Sequence, residues 1–482
     1  MGHILDVTQA RRSISVGRAA RAPHLWVSST YFAEGFPYGV IHQLAEVLFR
    51  ELGASLQVIG LTSLFHLPYN LKFLWAPVVD GFATKRSWLL AMEAVLGLIL
   101  LVLAFVVSGA HVLSAVSAAF AALAVASATH DIATDGFYLE ALDSAGQSKF
   151  VGYRAMAYRL ATLTVAGPLL VFAGRSGWWL GFVLSAGVLA LLLGYHAAFL
   201  PRVERPRLPV RQLLRNVAQR RLLPLLAVIA LAIAAVRAMP EHAMDSTYSK
   251  LPALIAIALP AALFVALALL PRIQRRLQQK DSLFARAFVD FLDQQQVGRI
   301  LVFVILFRVG ESLLLKMRYP FLKHVGMTLQ QYGWASGTLG VVASLAATLA
   351  GGWLISRHGL KRWIWPMVLG QNLLNLLYVL LAIQREPIAL KWLVAVITLE
   401  SFGAGLGTAV FMVYLMRCCR PDFKAAHMAI VTALMSLSFT VAGVTSGFLA
   451  SWLGYAWYFT LSFVATLPAM LLIPWVPHLD SR

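Results

Sequence analysis

Gly351-Gly352-Trp353-Leu354-Ile355-Ser356-Arg357-His358-Gly359-Leu360-Lys361-Arg362 joins the second and third apolar runs of the C-terminal half of the chain. Asp80-Gly81-Phe82-Ala83-Thr84-Lys85-Arg86 stands at the same place in the N-terminal half. In both, glycine interrupts an apolar run and adjacent basic residues follow it. The echo says that one architecture is built twice. Outward from these two loops, apolar runs of about 18–25 residues recur, each long enough to cross a hydrocarbon core of about 30 Å. Six lie near residues 24–50, 56–80, 87–109, 112–143, 149–174 and 177–200, and six near 299–324, 330–356, 363–383, 391–416, 425–450 and 455–476.

Between the sets lies a basic linker, 201–298, with two further apolar segments, 222–239 and 252–271. Pro252, Pro260 and Pro271 punctuate the second. The pair is read as a spanning hairpin, which brings the total to about 14 spans; segments of this length also suit the membrane interface. Residues 272–298, with Arg275-Arg276 and the apolar run Phe284 to Phe291, read as amphipathic and lying on the cytoplasmic face. The organisation is then a cytoplasmic tail (1–23), a six-helix half (24–200), the linker (201–298), a second six-helix half (299–476) and a cytoplasmic tail (477–482).

Composition agrees with an all-α polytopic membrane protein. Of 482 residues, 60% are hydrophobic and 13% charged, against roughly 25% charged in soluble proteins. The net charge of +19 invites a nucleic-acid partner, but its placement argues against one. With the N-terminus in the cytoplasm, about 27 of the 40 Lys and Arg fall on the cytoplasmic side, the bias that orients membrane proteins. The largest basic stretch, Arg202 to Arg221, is a topology signal or a contact for anionic lipid. The first 23 residues lack the short apolar core and small-residue cleavage site of a removed signal peptide. The only cysteines, Cys418 and Cys419, are adjacent and without nearby histidine, which excludes a disulfide framework and makes a poor metal site. No cofactor is expected.

The fourth span carries Thr129-His130-Asp131-Ile132-Ala133-Thr134-Asp135-Gly136. Asp131 and Asp135 are one turn apart and share a face. An ionisable group inside a bilayer costs at least about 2.5–3.5 kcal/mol and marks a functional site by default. Other intramembrane charges are Glu34 and Glu46 on span one, Lys72 on span two, Arg154 and Arg159 on span five, Arg308 and Glu311 on span seven, and Glu400 on span ten. Span three has only Glu93, near its cytoplasmic end. At 1.5 Å per residue, Glu34, Lys72, Asp131, Asp135, Arg159, Arg308 and Glu311 lie about 12–18 Å from the cytoplasmic ends, near the midplane. Four carboxylates there face three cations, so one acid is in surplus and can hold a proton. Arg154 is shallower, suiting a headgroup tether as well as a site. His66, His130 and His196 read as hydrogen-bonded fillers. Tyr31, Tyr38 and Asn70 stand beside prolines and glycines, which spanning helices accept only next to protein or water. Aromatic faces with amides suit a sugar.

Both glycine-and-basic loops resemble those after the second helix of each major facilitator half. Leu71-Lys72-Phe73-Leu74-Trp75-Ala76-Pro77-Val78-Val79-Asp80 resembles the AmpG-type muropeptide permeases, a family that shares a branch with acetyl-coenzyme A transporters. The acidic stretch from Ala128 to Glu140, Tyr158-Arg159-Leu160, and Glu400-Ser401-Phe402-Gly403-Ala404-Gly405-Leu406-Gly407-Thr408 are similar to it as well. His130, where the family usually has Gln, and Arg308-Val309-Gly310-Glu311 depart from its pattern.

The resemblance implies a major facilitator fold with spans one, four, seven and ten lining a cavity, two, five, eight and eleven flanking it, and the rest facing lipid. It implies proton-driven import of a muropeptide across a bacterial inner membrane, with both termini cytoplasmic, and a role in transport for Lys72, Asp131, Asp135 and Arg159. The solute is expected to be a glycan or glycopeptide, the coupling ion a proton, and the protein a monomer in contact with lipid. Asp131, Asp135 and Glu34 are the candidate proton carriers; Lys72, Arg159, Arg308, Glu311, Tyr31, Tyr38, Asn70 and Glu400 are candidates for the solute or as charge partners. A different oligosaccharide or an acyl-coenzyme A-like anion is the alternative cargo. A membrane enzyme acting on a glycan fits less well, because acids one turn apart on one helix do not straddle a bond. A sensor or scaffold would bind solute without flux.

Overall fold

A computed structural model describes residues 23–202 except 73–74 and 110–111, parts of 257–279, and residues 283–479 except 385–386 and 421–422. Segment 222–239 and most of 252–271, on which the count of fourteen spans rests, lie outside the described residues.

All regular structure among the described residues is helical. The first rod, α1, is Pro23–Gly39, carried on by a π-helical turn, Val40–Leu44, and by Ala45–Glu51. Pro37 explains the turn, since proline gives no N–H and its ring crowds the carbonyl four residues back. The second rod, α2, is broken: Leu56–Leu61, a 3-10 stretch Thr62–His66, Leu67–Leu71, then Ala76–Gly81. Pro68 and Pro77 occupy the first turns of the last two pieces, and Lys72 caps the end of Leu67–Leu71. Then follow α3 (Lys85–Val106), α4 (Val112–Ala141), α5 (Ser144–Thr164, with π turn Val165–Leu169 and Leu170–Ser176) and α6 (Trp178–Phe199).

After a surface helix, Leu283–Leu292, the second set is α7 (Val297–His324), α8 (Leu329–Trp334, π turn Ala335–Gly340, Val341–His358), α9 (Leu360–Ile383), α10 (Leu390–Arg417), α11 (424–453) and α12 (455–464, with Leu467–Leu472). Gly177 turns α5 into α6 at φ 88°, ψ 158°, and Gly454 turns α11 into α12 at φ 74°, ψ 164°. Only glycine takes this backbone readily. The repeat announced by the two loops therefore recurs at a second, equivalent pair of corners.

Eight described stretches are long and apolar enough to cross a membrane, and the last, Ala426–Trp475, holds both α11 and α12. The rods outside that set are α1, α2 and α7. The first two are interrupted by the breaks described above, and α7 carries Arg308, Glu311, Lys316 and Arg318.

The chain divides into two compact units. One contains α1 up to Ala45 and everything from Phe65 through α6; the other contains residues 46–64 and everything from the surface helix onward. In the first unit, the aromatic cluster Trp26, Tyr31, Trp75, Phe137 and Tyr138 forms a core beside α3 and α5. In the second, α7, α9, α10 and α11 share a core built on Phe303, Phe307, Phe411 and Tyr414. Residues 46–64 pack on α7 and α11 at backbone distance. A Cβ on Gly447 would lie 2.0 Å from the Leu56 carbonyl oxygen, and one on Gly443 2.1 Å from Ser63 Oγ. Gly447→Leu should therefore lower stability by about 3 kcal/mol through forced separation of backbones. Thermal unfolding of the detergent-solubilised protein tests this, and unchanged melting would refute the contact.

Candidate functional site

In the first unit, α4 brings Asp131 and Asp135 to one face, as their spacing requires. Each meets a cation from a different helix. Lys72, at the end of the Leu67–Leu71 piece of α2, pairs with Asp131. Arg154 on α5 puts Nη2 2.8 Å from Asp135 Oδ1. Tyr31 on α1 donates to the same oxygen at 2.7 Å, and the Arg154 guanidinium lies 4.4 Å from the centre of the Tyr31 ring. Trp75 and Thr129 brace α2 against α4 through an Nε1–Oγ1 hydrogen bond of 3.2 Å.

Glu34, one turn beyond Tyr31 on α1, is 5% exposed and faces both aspartates. It forms no ion pair with any described cation, and its Oε2 has no hydrogen-bond partner. Three carboxyls and two cations thus share one site, in which Glu34 is buried while Lys72, Asp135 and Arg154 remain partly exposed. Ionised throughout, it would hold a net charge of −1, costly to close off from water, and one proton makes it neutral.

Arg159 is placed differently from expectation. It is exposed on α5 and meets no acid among the described residues; Arg154 takes the aspartate instead. Arg154→Gln is expected to lower transport at least about tenfold, because it leaves Asp135 without its counter-ion. Arg159→Gln should cost less than about threefold if charge pairing is what matters. Equal losses, read as initial uptake rates in liposomes, would refute this assignment.

The second unit has its own polar interior. Arg308 pairs with Glu311 one turn on, and Gln371 of α9 donates to Glu311 Oε2 at 3.1 Å. Gly407 makes room for that amide, since a Cβ there would lie 1.5 Å from Gln371 Oε1. The Arg308 guanidinium sits 5.2 Å from the centre of the Phe411 ring, which stacks on Phe307 at 4.4 Å. Two turns beyond Glu311 on α7, Arg318 donates to Glu400 Oε2 at 2.9 Å and to Ser336 Oγ at 3.0 Å. Lys316, also on α7, donates to Thr62 Oγ1 at 2.7 Å and lies 3.4 Å from Glu46 Oε2; Lys323 and Tyr319 both reach Glu51 Oε1, at 2.7 and 2.5 Å.

Several of these groups escaped the sequence reading. Lys316 and Arg318 had a signal: each is flanked by apolar residues well inside the end of a long run. Gln371, Asn372 and Asn375 on α9 are 2%, 5% and 3% exposed and point inward rather than to lipid. His130 and His196, expected as fillers, converge on Glu93: His196 Nδ1 lies 2.6 Å and His130 Nε2 3.5 Å from its Oε1, all three side chains being 0% exposed. His196 Nε2 lies 2.9 Å from Ser29 Oγ. Tyr38 belongs to a ring cluster, and Asn70 lies in the short helix before Lys72. Among the described residues no group of three or more His, Cys, Asp or Glu could hold a metal ion.

Comparison with known proteins finds similarity to transporters. The family model of the Major Facilitator Superfamily matches residues 300–482, and that of Acetyl-coenzyme A transporter 1 matches 25–150. An anhydromuropeptide permease of Escherichia coli is 24% identical over 448 residues, 92% of this chain and 77% of that protein. A putative transporter, AmpG 4, of Rickettsia felis is 22% identical over 451 residues, covering 91% of this chain and 92% of that one. Among solved structures, a peptide transporter POT in complex with sulfate superposes with a TM-score of 0.67 at 13% identity, covering 95% of both chains. The inward open xylose transporter XylE of E. coli superposes with a TM-score of 0.56 at 14% identity, covering 96% of this chain and 97% of that one. These relatives and folds are transporters, not enzymes.

Proposed function

We propose that this chain, a transporter of the major facilitator type with anhydromuropeptide permeases among its relatives, brings a muropeptide or another amino-sugar oligosaccharide into a bacterial cytoplasm together with protons. It works as a monomer in the inner membrane, with both termini cytoplasmic, by alternating access between its two repeats. The observation that carries the reading is the count at α1, α2, α4 and α5: Glu34, Asp131 and Asp135 against Lys72 and Arg154. With Glu34 protonated the cluster is neutral and can be closed off from water. With Glu34 ionised, closure would bury a net charge, which is costly. Occlusion then proceeds only with the proton aboard, and opening to the cytoplasm lets it leave. That is coupling without any moving wire: one step of the cycle is forbidden to the charged form.

Arg308, held between Glu311 and the Phe411 ring, is the group in the second unit suited to a carboxylate on the solute, which would compete with Glu311 for it. The match of residues 25–150 to the acetyl-coenzyme A transporter model favours a second reading, an acyl-coenzyme A-like anion as cargo. Purified protein in liposomes with an alkaline interior decides between them. Radiolabelled N-acetylglucosaminyl-anhydromuramyl tripeptide should accumulate inside only while the proton gradient is held, and unlabelled chito-oligosaccharide should compete where acetyl-coenzyme A does not. Accumulation that ignores the gradient would remove the proton from the account; competition by acetyl-coenzyme A alone would favour the second cargo.

A further inference from the structure

We infer that the corner between α8 and α9 seats the headgroup of an anionic phospholipid, held by Arg357, Lys361 and Arg362 with Trp353 and Trp365 one turn further into the membrane. This surface stands apart from the acid cluster and from whatever solute is carried.

The two glycine-and-basic loops repeat in sequence, yet their cations are used differently. In the first, Lys85 pairs with Asp80 and is 2% exposed. Its stem lies so closely on α4 that a Cβ on Gly136 would come 2.5 Å from Lys85 Cε. Arg86 donates to the Ala197 carbonyl at 2.7 Å, and Trp88 donates to the Phe82 carbonyl, also at 2.7 Å. Protein groups thus take both cations and the tryptophan. The second loop, Gly351 to Arg362, contains no Asp or Glu. Arg357, His358, Lys361 and Arg362 are all exposed there, and Arg357 and Arg362 meet no acid among the described residues. A cluster of cations without acids raises the local potential and draws an anion from outside the chain.

The source of that anion is marked along the two helices. Gly359, at φ 84° and ψ 154°, ends α8 and begins α9, so both helices run from one corner. On α8, Leu349, Trp353 and Arg357 follow one another at four-residue steps. On α9, Leu369, Trp365 and Lys361 do the same in the opposite chain direction. Residues four apart share a helix face, and all six are exposed. Each stripe therefore runs aliphatic, tryptophan, cation from within the span to its end, over about 12 Å. That is the order of layers in half of a bilayer: acyl chain, interface, headgroup. Both helices belong to stretches long and apolar enough to cross a membrane. The Arg357 guanidinium lies 4.7 Å from the centre of the Trp353 ring, so the tryptophan holds it at that edge.

A phosphodiester suits guanidinium groups, whose paired N–H groups meet two oxygens at once. In phosphatidylglycerol the phosphate charge is uncompensated, whereas a zwitterionic headgroup carries its own cation. Charge alone orients a chain in the membrane, and that signal has no need of tryptophans in register with its cations.

Delipidated full-length protein in a neutral detergent, titrated with phosphatidylglycerol or phosphatidylcholine and followed by thermal unfolding, tests the site. Phosphatidylglycerol should raise the melting temperature of the wild type at concentrations where phosphatidylcholine does not. Arg357→Gln with Lys361→Gln and Arg362→Gln should raise the half-effective phosphatidylglycerol concentration at least about tenfold, since each cation near anionic headgroups counts for about fivefold. Arg272→Gln with Arg275→Gln and Arg276→Gln removes as many exposed charges from the linker and should leave that concentration nearly unchanged. Should the first triple variant fold poorly, tryptophan fluorescence gives an independent measure. Brominated phosphatidylglycerol should quench the wild type more than brominated phosphatidylcholine, and Trp353→Phe with Trp365→Phe should remove most of that excess. Wild-type protein that does not distinguish the two lipids overturns the site. Equal weakening by the two triple variants assigns the effect to diffuse charge and overturns it too, as does excess quenching that survives the loss of both tryptophans.

Discussion

Glu34→Gln should leave the reconstituted protein able to exchange solute across the membrane but unable to concentrate it, with gradient-driven uptake falling by about two orders of magnitude, some 2.7 kcal/mol in the driven step. Glutamine keeps the size of the side chain and fixes it in the neutral form. The cluster of Asp131, Asp135, Lys72 and Arg154 then stays neutral at every stage, so occlusion remains permitted and exchange survives. Because no proton travels, nothing drives accumulation. Asp131→Asn should behave otherwise. It strands Lys72 without its counter-ion in a partly buried site, and both exchange and accumulation should fall. The contrast separates carrying the proton from holding the site together. If Glu34→Gln still concentrates solute while Asp131→Asn exchanges without concentrating it, the proton belongs to Asp131 instead.

Arg318→Met should be the most destabilising of the charge deletions. Glu400 is 1% exposed and, among the described residues, takes its cation from Arg318, which also bonds Ser336 on α8. Removing one member of a buried pair and leaving the other costs about 3–5 kcal/mol, whereas replacing both by apolar groups of similar volume is often neutral. Thermal unfolding in detergent should show a fall of several degrees for Arg318→Met and its near-complete recovery in Arg318→Met with Glu400→Leu. If the double variant recovers stability but not transport, the pair serves the cycle rather than the fold. A single variant that melts like the wild type would mean that Glu400 is not ionised against Arg318.

Much of the fold was legible in the sequence because a bilayer makes crude demands. Apolar length marks the spans, and glycine followed by basic residues marks the repeat. The acids of α4 were equally plain, since any charge at that depth is conspicuous. What could not be read was rotation about a helix axis. Arg154 and Arg159 are five residues apart, about 140° around the helix, so one faces Asp135 and the other faces away. Depth alone did not tell which of the two meets the aspartate. The same limit hid the convergence of Glu93, His130 and His196, which lie on three helices and meet only once each helix has been turned to its neighbours. Gln371 was missed for another reason: an amide on a span assigned to lipid is unremarkable until Gly407 is seen to leave a gap for it. Arg318 and Lys316 yield to the same depth arithmetic that singled out Arg308, applied from the other end of α7.

The central claim is that a proton crosses with the solute and that Glu34 carries it. Liposomes containing the protein and a trapped pH-sensitive dye, with equal pH on both sides, put it to the most direct test. On addition of N-acetylglucosaminyl-anhydromuramyl tripeptide to the outside, the lumen should acidify with the wild-type protein and stay unchanged with Glu34→Gln, although both admit labelled solute. Solute entry without acidification in the wild type, or equal acidification in the two, would contradict the account.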